Sequence, residues 1–304
     1  MADCRVIIAG RTIPNPVITA SGTFGYGLEY TAFGDLSKLG AIVVKGLSLK
    51  PIPGNPPQRI VETRCGLLNA IGLANIGVDA FIDEMMPKLA KTRANVIVNI
   101  YGKTEEEYVE VAKKLDQQPG IFGLELNVSC PNVAAGGMAF GTDPQMVFSL
   151  TNSVRKATAL PLIVKLTPNV TDPIQIAQAA ENGGADAVSA INTLLGMAVD
   201  LENRRPVLGN ITGGLSGPAI KPVALRIVYQ VARAVKVPVI GIGGIMSGKD
   251  ALEFLVAGAS AIQVGTAIFA DPQVPWKIVK EIEEYLDHHG ISHIHEIIGT
   301  LRTD

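Results

Sequence analysis

Eight short, apolar, β-branched runs recur along this 304-residue chain, each followed by a longer stretch of helical pattern. No other feature constrains the fold as tightly. The runs are PVITAS (16–21), AIVVKG (41–46), NVIVNIYG (95–102), GLELNVS (123–129), PLIVKLT (161–167), AVSAINT (187–193), PVIGIGG (238–244) and AIQVGT (261–266). Continuous apolar strands of this kind belong in a parallel sheet covered on both faces. Eight β/α units predict an α/β fold, a closed (β/α)8 TIM barrel. Barrels of this length are routinely one domain, so 1–304 is read as a single domain. The alternative is an open, doubly wound sheet. The eighth strand, and the glycines after the seventh and eighth, favour closure.

The intervening helices are legible. Thr104 followed by Glu107 has the spacing of a capping box, and Tyr108, Val111, Ala112 and Leu115 then make one apolar stripe. Helical patterns also fit 79–92, 144–157, 172–182, 218–235, 248–257 and 274–288, with Gly183 and Gly258 at C-cap positions. A weaker pattern predicts helix over 27–38. Arg5–Ile8 and Arg11–Ile13, around Ala9-Gly10, predict a hairpin lying over the barrel bottom. Three connections, 47–78, 130–142 and 192–217, are too long for simple turns and reach or exceed the roughly 12–15 residues beyond which a loop is usually functional. All three follow strands, so they converge on the C-terminal face, where barrel enzymes keep their sites.

A formal net charge of −2 gives no pointer to nucleic acid or an anionic membrane surface. Mean hydropathy is +0.30, yet no apolar run approaches the roughly 20 residues of a spanning helix. Without a basic-then-apolar leader in MADCRVIIAGRTIPNP, the expectation is a cytoplasmic protein. The three cysteines, Cys4, Cys65 and Cys130, are too widely spaced for a metal or redox motif, and no metal site is expected. All four histidines (His288, His289, His293 and His295) sit near the C-terminus, where a solvated, tag-like tail is the expectation. Proton transfer in the body of the chain must therefore use another side chain.

The candidate chemistry lies at strand ends. Gly243-Gly244 and Gly265-Thr266 let backbone N–H groups approach a phosphate, in the position where barrels bind one. Lys45 and Lys165 each end an apolar strand, and a buried ammonium needs an anion: a phosphate, a ligand carboxylate, a reduced flavin edge, or a structural acid such as Glu125. Asn99, Asn127 and Asn192, with Asn69 on the 47–78 connection, offer the paired donors and acceptors that a planar ring with alternating N–H and C=O requires. Cys130 begins the connection after the fourth strand. A free cysteine is more often a small buried hydrophobe, but here a thiolate is placed to take a proton. Cys4 and Cys65 are read as structural. Gly241-Ile242-Gly243-Gly244 lacks the spacing and the downstream acid of a dinucleotide fingerprint, so no nicotinamide-binding domain is expected.

ITASGTFG (18–25), VVKGLS (43–48), LLNAIGLANIG (67–77), LNVSCPN (126–132), VKLTPN (164–169), AINT (190–193), GGLSG (213–217), GIGGI (241–245) and VGTA (264–267) occur in order across nearly the whole chain. Together they resemble the dihydroorotate dehydrogenase family. Cys130, where class 2 carries serine, resembles class 1, and NAIGLANIG with SCPNVAAGGMAFGTDP resembles the 1B subclass. The resemblance implies oxidation of dihydroorotate to orotate in pyrimidine biosynthesis. Cys130 would take the C5 proton and FMN would take hydride from C6, with the 131–142 segment closing over the site. It implies FMN contacts at Ser21, Lys45, Gly46, Asn99, Asn127, Lys165, Ile191, Gly217, Gly243, Gly244, Gly265 and Thr266. It implies substrate contacts at Lys45, Asn69, Ala70, Ile71, Gly72, Leu73, Asn127, Asn192 and Thr193, with Lys45 and Lys165 joining Cys130 in catalysis. It also implies a partner subunit with FAD and a 2Fe–2S cluster, in a heterotetramer that passes electrons to NAD. The rival readings are an FMN barrel acting on another pyrimidine, as in dihydropyrimidine dehydrogenase, a phosphate-binding isomerase or lyase, and a non-catalytic scaffold subunit.

Overall fold

The computed structural model describes residues 2–129 and 139–303. Eight parallel strands close into a barrel in chain order: β1 (Val17–Thr19), β2 (Ala41–Leu47), β3 (Val96–Ile100), β4 (Ile121–Asn127), β5 (Leu162–Leu166), β6 (Ala187–Ala190), β7 (Val239–Ile242) and β8 (Ala261–Val264), with β8 pairing back onto β1. Every strand expected from the apolar runs is present, and closure excludes the open sheet. The runs are mostly apolar because both faces are covered, by barrel interior on one side and helices on the other.

The helices form where their end signals lie. Glu105–Asp116 buries Tyr108, Val111, Ala112 and Leu115, and Thr104 Oγ1 accepts the Glu107 N–H. The return bond from Glu107 Oε2 reaches the Lys103 N–H at 2.7 Å, one residue outside the expected box. Pro144–Ala157 and Pro173–Asn182 each begin with proline behind an aspartate cap, Asp143 and Asp172. Each such cap contributes about 1 kcal/mol, and proline gives up no needed N–H there. Gly258 closes Gly248–Ala257 in the left-handed conformation at φ +118°; Gly183 caps its helix without leaving the right-handed region. The stretch expected as helix over 27–38 is instead two short 3-10 turns, Leu28–Tyr30 and Leu36–Lys38. Trp276 stacks where a Cβ on Gly34 would sit and donates Nε1–H to Asp35 O at 2.8 Å, so tertiary packing overrides a weak helical pattern.

Two of the long connections are not loops throughout. They build a four-stranded antiparallel sheet on the C-terminal rim, in the order Leu194–Met197, Thr212–Ser216, Gly66–Asn69, Ile60–Thr63. Glycines in TGGLS and short strand lengths mask its pattern in the sequence. At the other end, Val6–Ile8 pairs with Arg11–Ile13 as expected, and Arg11 Nη1 donates to Phe122 O at 2.9 Å, at the start of β4. The hairpin therefore covers the barrel bottom. The histidine-bearing C-terminus is exposed at His288, His289, His293 and His295, yet it is not a tag-like tail. Ile294 is buried, Ser292 O and the Ile294 N–H bond the Asp3 backbone, and Leu301 N–H reaches Val256 O. No helix among the described residues is long and apolar enough to cross a membrane.

Candidate active site

Polar side chains from five strands meet inside the barrel. Glu125 on β4 is fully buried, and its two oxygens accept from Asn99 Nδ2 on β3 (2.8 Å), Gln263 Nε2 on β8 (2.6 Å) and Ser189 Oγ on β6 (2.9 Å). Lys165 Nζ on β5 lies 3.7 Å from Glu125 Oε2. The structural acid considered in the sequence is thus the partner of this lysine. The strand pleat brings them together: Asn99 is in register with Glu125, and Lys165 with both Asn127 and Ser189.

Lys45 on β2 is only half-buried, and among the described residues no carboxylate pairs with it. Burial, and secondarily the positive charge of Arg59, hold its pKa below the ordinary lysine value. Next to it, Gly46 lies against the Asn99 amide: a Cβ at Gly46 would fall 2.7 Å from Asn99 Oδ1. Glycine is needed there for close approach rather than for its φ.

A second amide group forms where β4 and β6 end. Asn127 Oδ1 accepts the Ser129 N–H at 3.2 Å, and Asn192 Nδ2 donates to Ser129 Oγ at 3.0 Å and toward Asn127 Oδ1 at 3.4 Å. Tyr108 Oη–H donates to Asn127 O at 2.7 Å, and its ring meets Phe140 edge-on. Gly141 N–H bonds Val128 O at 2.7 Å. One tyrosine on the helix after β3 therefore braces both ends of the connection that contains Cys130. Cys130 itself lies outside the described residues.

The Asn69–Leu73 segment is held by its own neighbours. Asn55 N–H and Nδ2 donate to Ile71 O and Ala70 O, and Tyr101 Oη–H donates to Leu73 O at 2.7 Å. Gly72 and Leu73 take positive φ, +73° and +59°. Asn69 Nδ2 donates to Gly214 O, and Thr193 packs against Gly214, so the rim sheet joins these two expected substrate residues.

The glycines expected at a phosphate gather separately. Gly217, Gly243 and Gly244 have positive φ, and a Cβ on Gly244 would fall 2.9 Å from both Gly217 O and the Lys221 N. These glycines lie against the start of the helix Lys221–Ala232, whose dipole favours an anion, although the Lys221 N–H is itself taken by Pro218 O and Pro222 has none. The Lys221 ammonium turns away to Asp250 and Glu253, so the glycines offer backbone rather than a side-chain cation. Gly265 lies against Ala20, beside buried Ser21, and Ile191 is buried at the end of β6.

Sequence reasoning missed Ser129, Ser189 and Gln263. Their signal was present: each is a polar residue in or at the end of an otherwise apolar strand, a placement that demands a buried partner. Cys4 fits its structural reading, since burial pushes its thiol up to about 11. Cys65 is exposed in the turn between two rim strands. Among the described residues, no group of His, Cys, Asp or Glu is arranged to hold a metal. A groove of about 1260 Å³ on the outer wall, lined by Leu225, Tyr229, Leu252, Val256 and Tyr285, contains none of the expected site residues.

A family model described as dihydroorotate dehydrogenase matches residues 4–286. The chain belongs to the dihydroorotate dehydrogenase family. It is 59% identical over 301 residues to the dihydroorotate dehydrogenase B (NAD(+)), catalytic subunit, of Geotalea uraniireducens, covering 99% of both chains. It is 60% identical to the protein of the same description from Geotalea daltonii, covering 99% of this chain and 98% of the relative. A solved dihydroorotate dehydrogenase from Eimeria tenella, in complex with ferulenol, superposes with a TM-score of 0.79 at 25% identity, over 98% of this chain and 88% of that one. Membership sets aside the lyase, isomerase and scaffold readings and places the chain in the class 1B branch of this FMN-dependent family. The residues present fit FMN. Close-packed glycines that present only backbone at the end of β7 suit the phosphate, and strand-end amides beside a lysine with no carboxylate partner among the described residues suit the ring and its substrate.

Proposed function

We propose that this chain is the catalytic subunit of a dihydroorotate dehydrogenase, oxidising dihydroorotate to orotate, and that the residues gathered on the barrel rim carry the reaction. Lys45 supports this reading most directly, because a half-buried cation with no carboxylate partner among the described residues is suited to an anionic ligand. Its ammonium binds the negatively charged substrate, and Asn69, Asn127, Asn192 and Thr193 match the ring's alternating N–H and C=O groups. The backbone of Asn69–Leu73 forms one wall. FMN, when bound, supplies the hydride acceptor. Ser21, Gly46, Asn99, Ile191, Gly217, Gly243, Gly244, Gly265 and Thr266 hold it, and Lys165 presents positive charge toward its ring.

Cys130 takes the C5 proton of the substrate as a thiolate. It follows directly on Ser129, which Asn127 and Asn192 hold in place. FAD and a 2Fe–2S cluster belong to a partner subunit that passes electrons to NAD. Three cysteines in this chain cannot supply the four thiolates of such a cluster.

An anaerobic absorbance spectrum of the purified protein tests the reading. Flavin bands should be present and should bleach when dihydroorotate is added. Replacing Cys130 with Ala should slow that bleaching by roughly 10²–10⁴-fold, the range of a positioned base. Bleaching at the wild-type rate in this variant would remove Cys130 from the mechanism.

A further inference from the structure

The reading above uses Lys165 and leaves Glu125 without a role. Glu125 is a fully buried carboxylate at the centre of a layer that five strands contribute. Amide nitrogens face both of its oxygens, Asn99 at Oε2 and Gln263 at Oε1, with Ser189 also at Oε1. An amide N–H₂ can only donate, so both oxygens act as acceptors, which is the arrangement of a carboxylate anion. Gln263 Oε1 has no partner among the described residues. That amide is committed to the carboxylate at the expense of its own other end. A neutral side chain at 125 would not call for such an arrangement.

The distance to Lys165 is informative. At 3.7 Å, Nζ is within ion-pair range of Oε2 but beyond hydrogen-bond length. The ammonium is attracted to Glu125 without being tied to it, and among the described residues no hydrogen bond takes its N–H donors, which can meet another acceptor. We propose that Glu125 is a positioning residue that sets how much of the Lys165 charge reaches the bound flavin, and so sets the flavin's reduction potential. The proposal rests on the placement of Lys165 beside FMN. With Glu125 ionised, the pair is close to neutral and favours neither oxidation state of the ring strongly. With that charge removed, Lys165 stands alone and favours the more negative, reduced ring. The two electrons come from dihydroorotate as in the family reaction; Glu125 neither gives nor takes any.

The test is anaerobic redox titration of the flavin in the wild-type holoenzyme and in Glu125→Gln, Glu125→Asp, Lys165→Met and the double variant Glu125→Gln/Lys165→Met. Glu125→Gln should raise the reduced-to-oxidised ratio at a fixed potential about tenfold, which is about 30 mV for a two-electron couple. Glu125→Asp, which keeps the charge, should stay within about twofold of wild type, while Lys165→Met should move the ratio the other way. In the double variant the ratio should return close to that of the wild type, because both charges of the near-neutral pair are gone.

A wild-type ratio in Glu125→Gln, with Lys165→Met shifted, overturns the proposal and leaves the placement of Lys165 standing. An unshifted Lys165→Met overturns that placement, and the proposal with it. If Glu125→Gln does not fold, thermal unfolding of the flavin-free proteins decides the matter. The double variant should then be more stable than Lys165→Met alone, since it removes an orphaned buried carboxylate. Equal or lower stability would show that the two charges are not coupled.

Discussion

Lys45 and Lys165 look alike in the sequence. Each ends an apolar barrel strand, in AIVVKG and PLIVKL, and each requires an anion. The fold treats the two differently. Lys165 is almost fully buried and pairs with Glu125, which three neutral donors hold in place. Lys45 is half-buried, has no carboxylate partner among the described residues, and is pushed toward its neutral form by burial and by Arg59. One cation is compensated by a carboxylate of the barrel itself. The other has no such partner among the described residues and, on the reading proposed above, is left for the substrate. Two residues with the same local signature thus divide into a compensated and an uncompensated charge, and only the partner across the barrel separates them.

The largest test of this difference is stability. Lys165→Met strands a buried carboxylate and should cost about 3–5 kcal/mol, the usual penalty for breaking a buried pair from one side. Lys45→Met removes no such partner and should change the denaturant midpoint little. Comparable losses in the two variants would erase the distinction.

The next effect is on binding. Lys45→Met should weaken orotate by roughly ten- to a hundredfold, in line with about 1.5–3 kcal/mol for a charge-assisted hydrogen bond. Titration against the flavin spectrum would read this directly. Unchanged affinity would return Lys45 to the background.

The smallest effect sharpens the same point through pH. In the free protein the lowered pKa of Lys45 disfavours the charged form, whereas an anionic ligand needs it. Orotate affinity should therefore fall as pH rises through the lowered Lys45 pKa, starting below the ordinary lysine range. Lys45→Met should lack this component. The same lowered pKa has a sign for folding. Its cost is present below the folded pKa and disappears as pH rises from there toward the unfolded value, so stability attributable to Lys45 increases across that window. Parallel pH profiles of orotate binding in wild type and variant would contradict the assignment.

The two connections over the rim make the same point about what can be read in advance. Their length announced function, but their structure was hidden. Gly213, Gly214 and Gly196 dilute the period-two pattern, and Thr212–Ser216 pairs on its far side with Gly66–Asn69, more than a hundred residues away. Local signals failed likewise at 27–38, where Trp276 decides the path of the chain.

What the sequence determined by itself is the periodic part of this protein. Continuous apolar runs could only be doubly covered strands, stripes such as Tyr108–Leu115 could only be helices with one buried face, and the strand ends had to carry the chemistry. Which residues are candidates for the site was legible for the same reason, since a polar group at the end of an apolar strand has few uses. How those groups divide was decided by the tertiary structure alone. Barrel closure brings β3, β4, β5, β6 and β8 to one axis, so Glu125 meets Lys165 and not Lys45. Charge pairing depends on distance in space, and that distance exists only once the sheet has closed.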